Sequence, residues 1–204
     1  MIKIMIVIVD YKLGNLGSIK NMLNKIGVKS KISSKYEDVM TAKKLILPGV
    51  GAFDNGMNNL RKLNLIEALN QAVIINKVPI LGICLGMQLM GKTSDEGELN
   101  GLAWVDLNVK SFETTNTYQG TIPLMGWNYV TIAKENKILK NDTSRFYFVH
   151  KYYFERNEYQ IINSEANGIS YCAGFQKENV FGVQFHPEKS HIYGMQLFKE
   201  FSLL

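Results

Sequence analysis

The segment Pro79-Ile-Leu-Gly-Ile-Cys-Leu-Gly-Met-Gln88 constrains the fold more than any other part of the chain. Val78–Ile83 is short and fully apolar, which predicts a buried strand, and Cys84–Met90 reads as the start of a helix. Gly82, Cys84 and Gly86 form G-x-C-x-G at that junction, the nucleophile-elbow pattern with a thiol in place of a hydroxyl. The glycines remove Cβ atoms where the chain must turn sharply. The turn projects side chain 84 above the C-terminal end of the strand, where open α/β sheets bind ligands. The helix N-terminus that follows favours a negatively charged sulfur. A lone buried cysteine is usually a small packing residue. The two flanking glycines favour a nucleophile here.

The rest of the first half alternates in the way such a sheet requires. Ile2–Val9 is a continuous apolar run of β-branched character, the mark of a buried parallel strand. Asn15 caps a helix carrying Leu16, Ile19, Leu23 and Ile26, closed by Gly27. Val28–Ser33 and Lys44–Leu47 are further strands, the second stopped by Pro48-Gly49, and Asp54 caps a helix running on to Val73. The βαβαβα order predicts a doubly wound parallel sheet. In the second half, Ala103–Phe112, Met125–Ile132, Arg145–Phe154, Gln160–Glu165, Ile169–Phe175 and Val180–Phe185 read as strands joined by polar turns. They are expected to pair antiparallel as additions to the same sheet, before a last helix capped by Ser190. The expected fold class is α/β: a flavodoxin-like, mostly parallel sheet flanked by helices, with antiparallel strands added, residues 1–204 forming one domain. The prolines at 48, 79, 123 and 187 should mark strand ends or edges.

Composition removes several other classes. Hydrophobic residues make up 46% and charged residues 20%, which excludes a disordered chain. The apolar opening stops at Asp10, too short to span a bilayer, and lacks a small-residue cleavage site, so no membrane association is expected. Two cysteines, Cys84 and Cys172, are too few for a disulfide framework or a cysteine-based zinc site, which favours a reduced, cytoplasmic protein with no metal and no cofactor. The net charge of +5 comes from scattered lysines with no aromatic interleaving, so no nucleic-acid partner is expected. Cys172 lies in a strand-like segment and reads as packing.

A nucleophilic thiol needs a base and a group to orient it. Among His150, His186 and His191, the segment Phe185-His186-Pro187-Glu188 is distinctive. Pro187 biases His186 toward an extended conformation, and in extended chain residues 186 and 188 point to one side. Glu188 can then hold one imidazole nitrogen while the other faces the thiol. His150 follows Phe146-Tyr147-Phe148-Val149 and either lines the site or is a satisfied strand-end histidine; His191 reads as surface. Oxyanion donors are offered by Leu45-Ile-Leu-Pro-Gly-Val-Gly-Ala-Phe53, where Gly49 and Gly51 let backbone N–H groups approach a ligand, and by the amide of Leu85. The loop Asp10-Tyr-Lys-Leu-Gly-Asn15 matches no nucleotide-binding pattern.

Together these residues resemble the class I, triad-type glutamine amidotransferases, along essentially the whole chain. The resemblance includes Asp10-Tyr11 with Gly14-Asn15, Leu47-Pro-Gly-Val-Gly-Ala-Phe53, Gly82-Ile-Cys-Leu-Gly-Met-Gln88, Met125-Gly-Trp-Asn128, Tyr147-Phe-Val-His150 and Gly182-Val-Gln-Phe-His-Pro-Glu-Lys-Ser190. It implies a glutaminase in which Cys84 attacks the glutamine side-chain amide, His186 is acid and base, and Glu188 orients His186. It implies main-chain oxyanion donors at Gly51 and Leu85, and substrate contacts at Gln88 and along His150, Lys151 and Tyr152. It also implies a heterodimer with a (β/α)₈-barrel synthase subunit that receives the ammonia, as in histidine biosynthesis, docking near Lys12, Asn15, Leu124, Trp127, Tyr147 and Lys189. An oxyanion loop not fully arranged until that partner docks is part of the same implication. Lys12, Leu124 and Lys151 depart from the family pattern, which has a small residue, a histidine, and a serine or threonine there. A paralogous pair that amidates cell-surface sugars is the alternative within the family. Outside it stand a flavodoxin-like redox-sensing cysteine protein, which has no need of the 186–188 pair, and a thiol hydrolase of another ester or amide, which has no need of the 125–128 and 147–150 segments.

Overall fold

A computed structural model describes residues 5–115, 118–141 and 144–204. In chain order it contains β1 (Ile6–Val9), α1 (Leu16–Lys25), β2 (Ser30–Ser33), α2 (Tyr36–Met40), β3 (Lys44–Gly49), α3 (Phe53–Lys62), α4 (Leu65–Asn70), β4 (Ile80–Cys84), α5 (Leu85–Gln88) and β5 (Thr93–Ser94). Then follow β6 (Asn108–Ser111), β7 (Leu124–Ile132), β8 (Ser144–His150), β9 (Tyr152–Phe154), β10 (Gln160–Ala166), β11 (Ile169–Lys177), β12 (Val180–Val183) and α6 (His191–Leu203). The strands form one 12-stranded sheet with the path β2-β1-β3-β4-β12-β11-β10-β7-β8; β5, β6 and β9 join as a side branch through β11.

The parallel half is as the pattern predicts. Residue alternation splits it into two faces. Ile6, Ile8, Ile46, Leu81 and Ile83 pack with Ile19 and Leu23 of α1 and Leu197, Phe198 and Phe201 of α6. Val7, Val9, Leu45, Leu47 and Ile80 pack with Val39, Phe53, Met57, Leu60, Leu65 and Leu69 of the opposite helices. Helices on both faces explain why these strands are apolar throughout.

Several expectations are corrected. The helix anticipated from Asp54 to Val73 breaks at Asn64, which adopts a left-handed conformation (φ 56°), and α4 runs on into a π-helical turn over Gln71–Ile75. Asp54 is not its cap: Ala52 is, and the Asp54 carboxylate accepts the backbone N–H groups of Glu98 and Leu99 instead. Asn15 stands at the α1 N-cap without a side-chain cap bond. The strand anticipated from Ala103 shrinks to β6, and Lys151 divides the one anticipated over 145–154. β12 is antiparallel to β11 yet parallel to β4, so the last strand closes the parallel half rather than extending the antiparallel one. Pro48 lies inside β3, where it is tolerated because β1 pairs only as far as Ile46. Of the anticipated first strand, residues 2–4 lie outside the described residues.

Candidate active site

β4 delivers Cys84 at its C-terminal end in a conformation rare for a side-chain-bearing residue (φ 53°, ψ −113°). Such strain costs about 1–3 kcal/mol and persists only where the surroundings enforce it. The enforcing contacts are close. A Cβ on Gly82 would stand 2.8 Å from the Met87 Cα, and one on Gly86 would strike the Leu47 carbonyl of β3. α5 thus packs directly on the strand ends, leaving the Cys84 side chain as the group turned outward.

The sulfur lies in a cavity of about 450 Å³ lined by, among others, Gly51, Gln88, Glu96, His150, Lys151 and His186. His186 Nδ1 and Glu188 Oε1 are 2.8 Å apart, and both side chains are buried. The pair does not form along extended chain as anticipated: Pro187–Lys189 is a 3₁₀ turn, and the turn brings the carboxylate back onto the ring. The other imidazole nitrogen, Nε2, is buried with no hydrogen-bond partner among the described residues. Burial opposes a charged ring, but interactions with Cys84 and Glu188 outweigh it and push His186 up to about 10. A ring kept protonated in this way is a proton donor at neutral pH.

Ser190 does not cap α6 with its side chain. Its hydroxyl donates to the His186 carbonyl (2.6 Å) and accepts the Tyr147 N–H (3.0 Å), while the His186 N–H donates to the Tyr147 carbonyl (2.8 Å). These bonds fix the histidine turn to β8 from both sides.

His150 lines the cavity but is held differently. Its Nδ1 lies 2.8 Å from the Tyr152 carbonyl, and Nε2 is buried and unpartnered. Burial and the nearby His186 depress it to about 4, against the favourable carbonyl. His150 is therefore neutral, with the proton on Nδ1. His191 is exposed, and Cys172 is a buried thiol pushed up to about 12 by desolvation, consistent with packing.

Two residues of the site were missed in the sequence. Glu96 accepts the Phe53 N–H at 2.9 Å and lines the cavity with its carboxyl raised, chiefly by burial. Gln184 is fully buried and its Nε2 lies 3.6 Å from the Cys84 sulfur. Glu96 had no local signal, because it sits in an irregular polar stretch; Gln184 stood inside the quoted 182–190 motif without an assigned role.

The expected docking residues separate by face. β7 alternates, and Met125, Trp127, Tyr129 and Thr131 are its exposed side chains. Trp127 stacks on His191 and lies edge-on to Tyr147, over which Lys189 Nζ sits at 5.4 Å. Lys12 is exposed and paired with Asp10. Leu124 is half-buried against the inner core, one residue out of phase with the exposed row, so it does not belong to that face. A larger groove of about 920 Å³ at the opposite end of the sheet, lined by Asn64, Ile75, Lys77 and Trp104 among others, has no cysteine, serine, threonine or histidine among the described residues that line it.

Residues 7–203 match the family model of glutamine amidotransferase class-I. The chain is 48% identical to the imidazole glycerol phosphate synthase subunit HisH 2 of Pseudomonas aeruginosa, over 97% of this chain and 98% of that one. It is 47% identical to the subunit of the same name in Methanococcus maripaludis, over 97% and 98%, and 40% identical to the HisH subunit of Leptospira borgpetersenii, over 98% and 100%. In fold it is similar to a crystal structure of a glutamine amidotransferase, with TM-score 0.74 at 18% identity over 96% of each chain. A putative GMP synthase subunit from Thermoplasma acidophilum gives TM-score 0.72 at 19% identity, over 99% and 94%. With its matched residues spanning the sheet, the elbow and the histidine turn alike, the chain belongs to the class I glutamine amidotransferases.

Proposed function

We propose that this chain is the glutaminase subunit of an imidazole glycerol phosphate synthase, releasing ammonia from glutamine for histidine biosynthesis. The observation that supports it best is the buried Cys84, His186 and Glu188 arrangement at one cavity, in a chain similar over nearly its whole length to such subunits. The cavity suits a zwitterionic amino acid: Glu96 offers a negative charge for the α-ammonium group and Lys151 a positive one for the α-carboxylate. Gln88 spends both amide hydrogens inside the protein, so its oxygen is left to face the substrate.

In the reaction the Cys84 sulfur attacks the side-chain carbonyl carbon of glutamine. The developing oxyanion is held by the main-chain N–H groups of Leu85 and Gly51. The tetrahedral adduct collapses as His186 Nε2 gives its proton to the departing nitrogen, which leaves as ammonia. Water then attacks the γ-glutamyl thioester, its proton passing to His186, and glutamate and the free thiol are released. Glu188 accepts the Nδ1–H throughout and keeps Nε2 directed at the reacting atoms.

The receiving synthase subunit is expected to be a (β/α)₈ barrel docked on the face bearing Lys12, Asn15, Trp127, Tyr147 and Lys189. Val50 is exposed, and a Cβ on Gly51 would meet the side chain of Leu13, the neighbour of Lys12, so the oxyanion loop is read as bordering the Lys12 side. One oxyanion donor is worth about 3 kcal/mol, roughly a hundredfold in rate. Glutaminase activity should therefore be weak for the isolated chain and rise about a hundredfold or more with the histidine-pathway synthase subunit from the same source and its ligand. Equal activity of the isolated chain, or stimulation only by a synthase of another pathway, would overturn the assignment.

A further inference from the structure

We propose that Gln184 is a positioning residue for the nucleophile, donating an N–H to the Cys84 sulfur and tying it to the substrate-facing Gln88. The inference rests on the reading of Cys84 as nucleophile. It begins from a chain of buried contacts. The Tyr152 carbonyl accepts from His150 Nδ1 at 2.8 Å and from Gln88 Nε2 at 3.0 Å. The same Gln88 Nε2 donates to Gln184 Oε1 at 3.0 Å, and Gln184 Nε2 lies 3.6 Å from Cys84 Sγ.

The orientation of both amides follows from the one group whose identity is beyond choice. A backbone carbonyl only accepts, so the Gln88 atom facing Tyr152 is the nitrogen. That nitrogen's second hydrogen then meets an oxygen, which is Gln184 Oε1. Gln184 is left with its NH₂ toward sulfur. Reversing Gln184 would set two donors against each other at 3.0 Å in a site with no exposure to water.

Besides the His186 ring, the sulfur has the Val149 carbonyl at 3.8 Å. A carbonyl can accept from the thiol but opposes its anion. Gln184 does the reverse: its N–H strengthens as charge develops on sulfur. Local chain geometry couples it to the base. Gln184 and His186 are two apart, and both side chains reach Cys84, while Phe185 between them is buried against Phe146 at a ring distance of 3.9 Å. One segment thus presents a sulfur donor and a proton carrier, with an aromatic anchor on the opposite side. Gln88 lines the cavity and Gln184 does not, so the relay joins a cavity wall to the nucleophile from behind.

The test reads the pH dependence of Cys84 alkylation by iodoacetamide in the full chain, for wild type, Gln184→Glu and Gln184→Met. Cys172 is buried, and a Cys84→Ala control subtracts its reaction. The titratable groups facing the sulfur are His186 and Tyr11, with Glu188 and His150 acting through His186, and Glu96 and Lys151 across the cavity. All are unchanged in Gln184→Met, whereas Gln184→Glu adds a carboxylate beside the sulfur, so loss of the N–H alone is read from Gln184→Met and superposition of its midpoint on wild type is decisive. Both substitutions should move the alkylation midpoint upward by about one pH unit, a tenfold loss of reactive sulfur. In the complex with the synthase subunit they should lower kcat about tenfold with KM changed less than threefold. Midpoints that superimpose on wild type overturn the proposal. If Gln184→Glu fails to fold, Gln184→Met, of similar volume and uncharged, carries the same reading. Alkylation uses no glutamine, so failure here is separate from failure of the glutaminase assignment, which falls if Cys84→Ala still hydrolyses glutamine.

Discussion

β3 and β4 are neighbours in the parallel sheet, and both end at the active site, but their ends are built in opposite ways. After β4 the chain is clamped: Cys84 is held in a strained conformation, and Gly82 and Gly86 leave no room for a methyl group. After β3 the tightness stops at Gly49, where an added Cβ would sit 2.7 Å from the Gly86 N and foul the Tyr11 hydroxyl. Two residues on, a Cβ added to Gly51 would meet, among the described residues, only the Leu13 side chain, at 3.8 Å, and its glycine is demanded by φ alone. Cys84 is placed by packing; the Gly49–Gly51 loop, the proposed oxyanion loop, ends on a backbone torsion facing open space. Preorganisation at one strand end and latitude at the other is what the proposed partner-dependent glutaminase would require.

The comparison can be broken most severely at the clamped end. Cys84→Ala should abolish glutamine hydrolysis, measured as glutamate released, while the complex keeps its synthesis from ammonium salts. Retained hydrolysis at the wild-type rate would remove the thioester mechanism. His186→Ala should lower kcat by about 10⁴-fold or more, and Glu188→Gln roughly tenfold less severely, because the orienter acts only through the ring. Equal losses would mean that the carboxylate does more than orient.

The two glycines then separate stability from activation. Gly86→Ala forces a methyl group onto the Leu47 carbonyl and should destabilise by about 3 kcal/mol, a fall in Tm of roughly 6–12 °C by thermal melting. Gly51→Ala has space but an unfavourable torsion, costing about 1–2 kcal/mol. Its main effect should be a reduced stimulation by the synthase subunit at nearly unchanged basal rate. A larger Tm loss at 51 than at 86 would invert the comparison.

The last effect, small at any one pH near neutrality, concerns the wall facing both strand ends. His150 is depressed to about 4 by burial, so its neutral form contributes stability that is present above about 6.5 and is lost as pH falls toward 4. Chemical denaturation across that window should show wild type losing up to about 1.4 kcal/mol per pH unit relative to His150→Gln. Parallel acid limbs would mean that His150 charges freely in the folded state.

Local chemistry was readable along the chain. The apolar run into G-x-C-x-G defined the elbow, because the glycine requirement and the strand-to-helix switch both arise within seven residues. The histidine–glutamate pair was also readable, though through the wrong geometry: the contact needed only two residues and a proline, and a 3₁₀ turn satisfies it as well as an extended chain. The helix break at Asn64 was not readable, since apolar spacing continues across it while a left-handed residue redirects the axis.

What the sequence by itself determined is the cysteine elbow, the 186–188 contact and the parallel half that carries the elbow, because strand apolarity, elbow glycines and the 186–188 pair are short-range properties. Only the tertiary structure decided the rest. It made β12 a parallel neighbour of β4, which sets Gln184 and His186 beside Cys84 although about a hundred residues separate them. It put Glu96 on the cavity wall, turned Leu124 inward, and gave Ser190 the task of tying the histidine turn to β8. These are pairings between distant segments. Their energy depends on which strands lie side by side, and no local pattern of residue types encodes that choice.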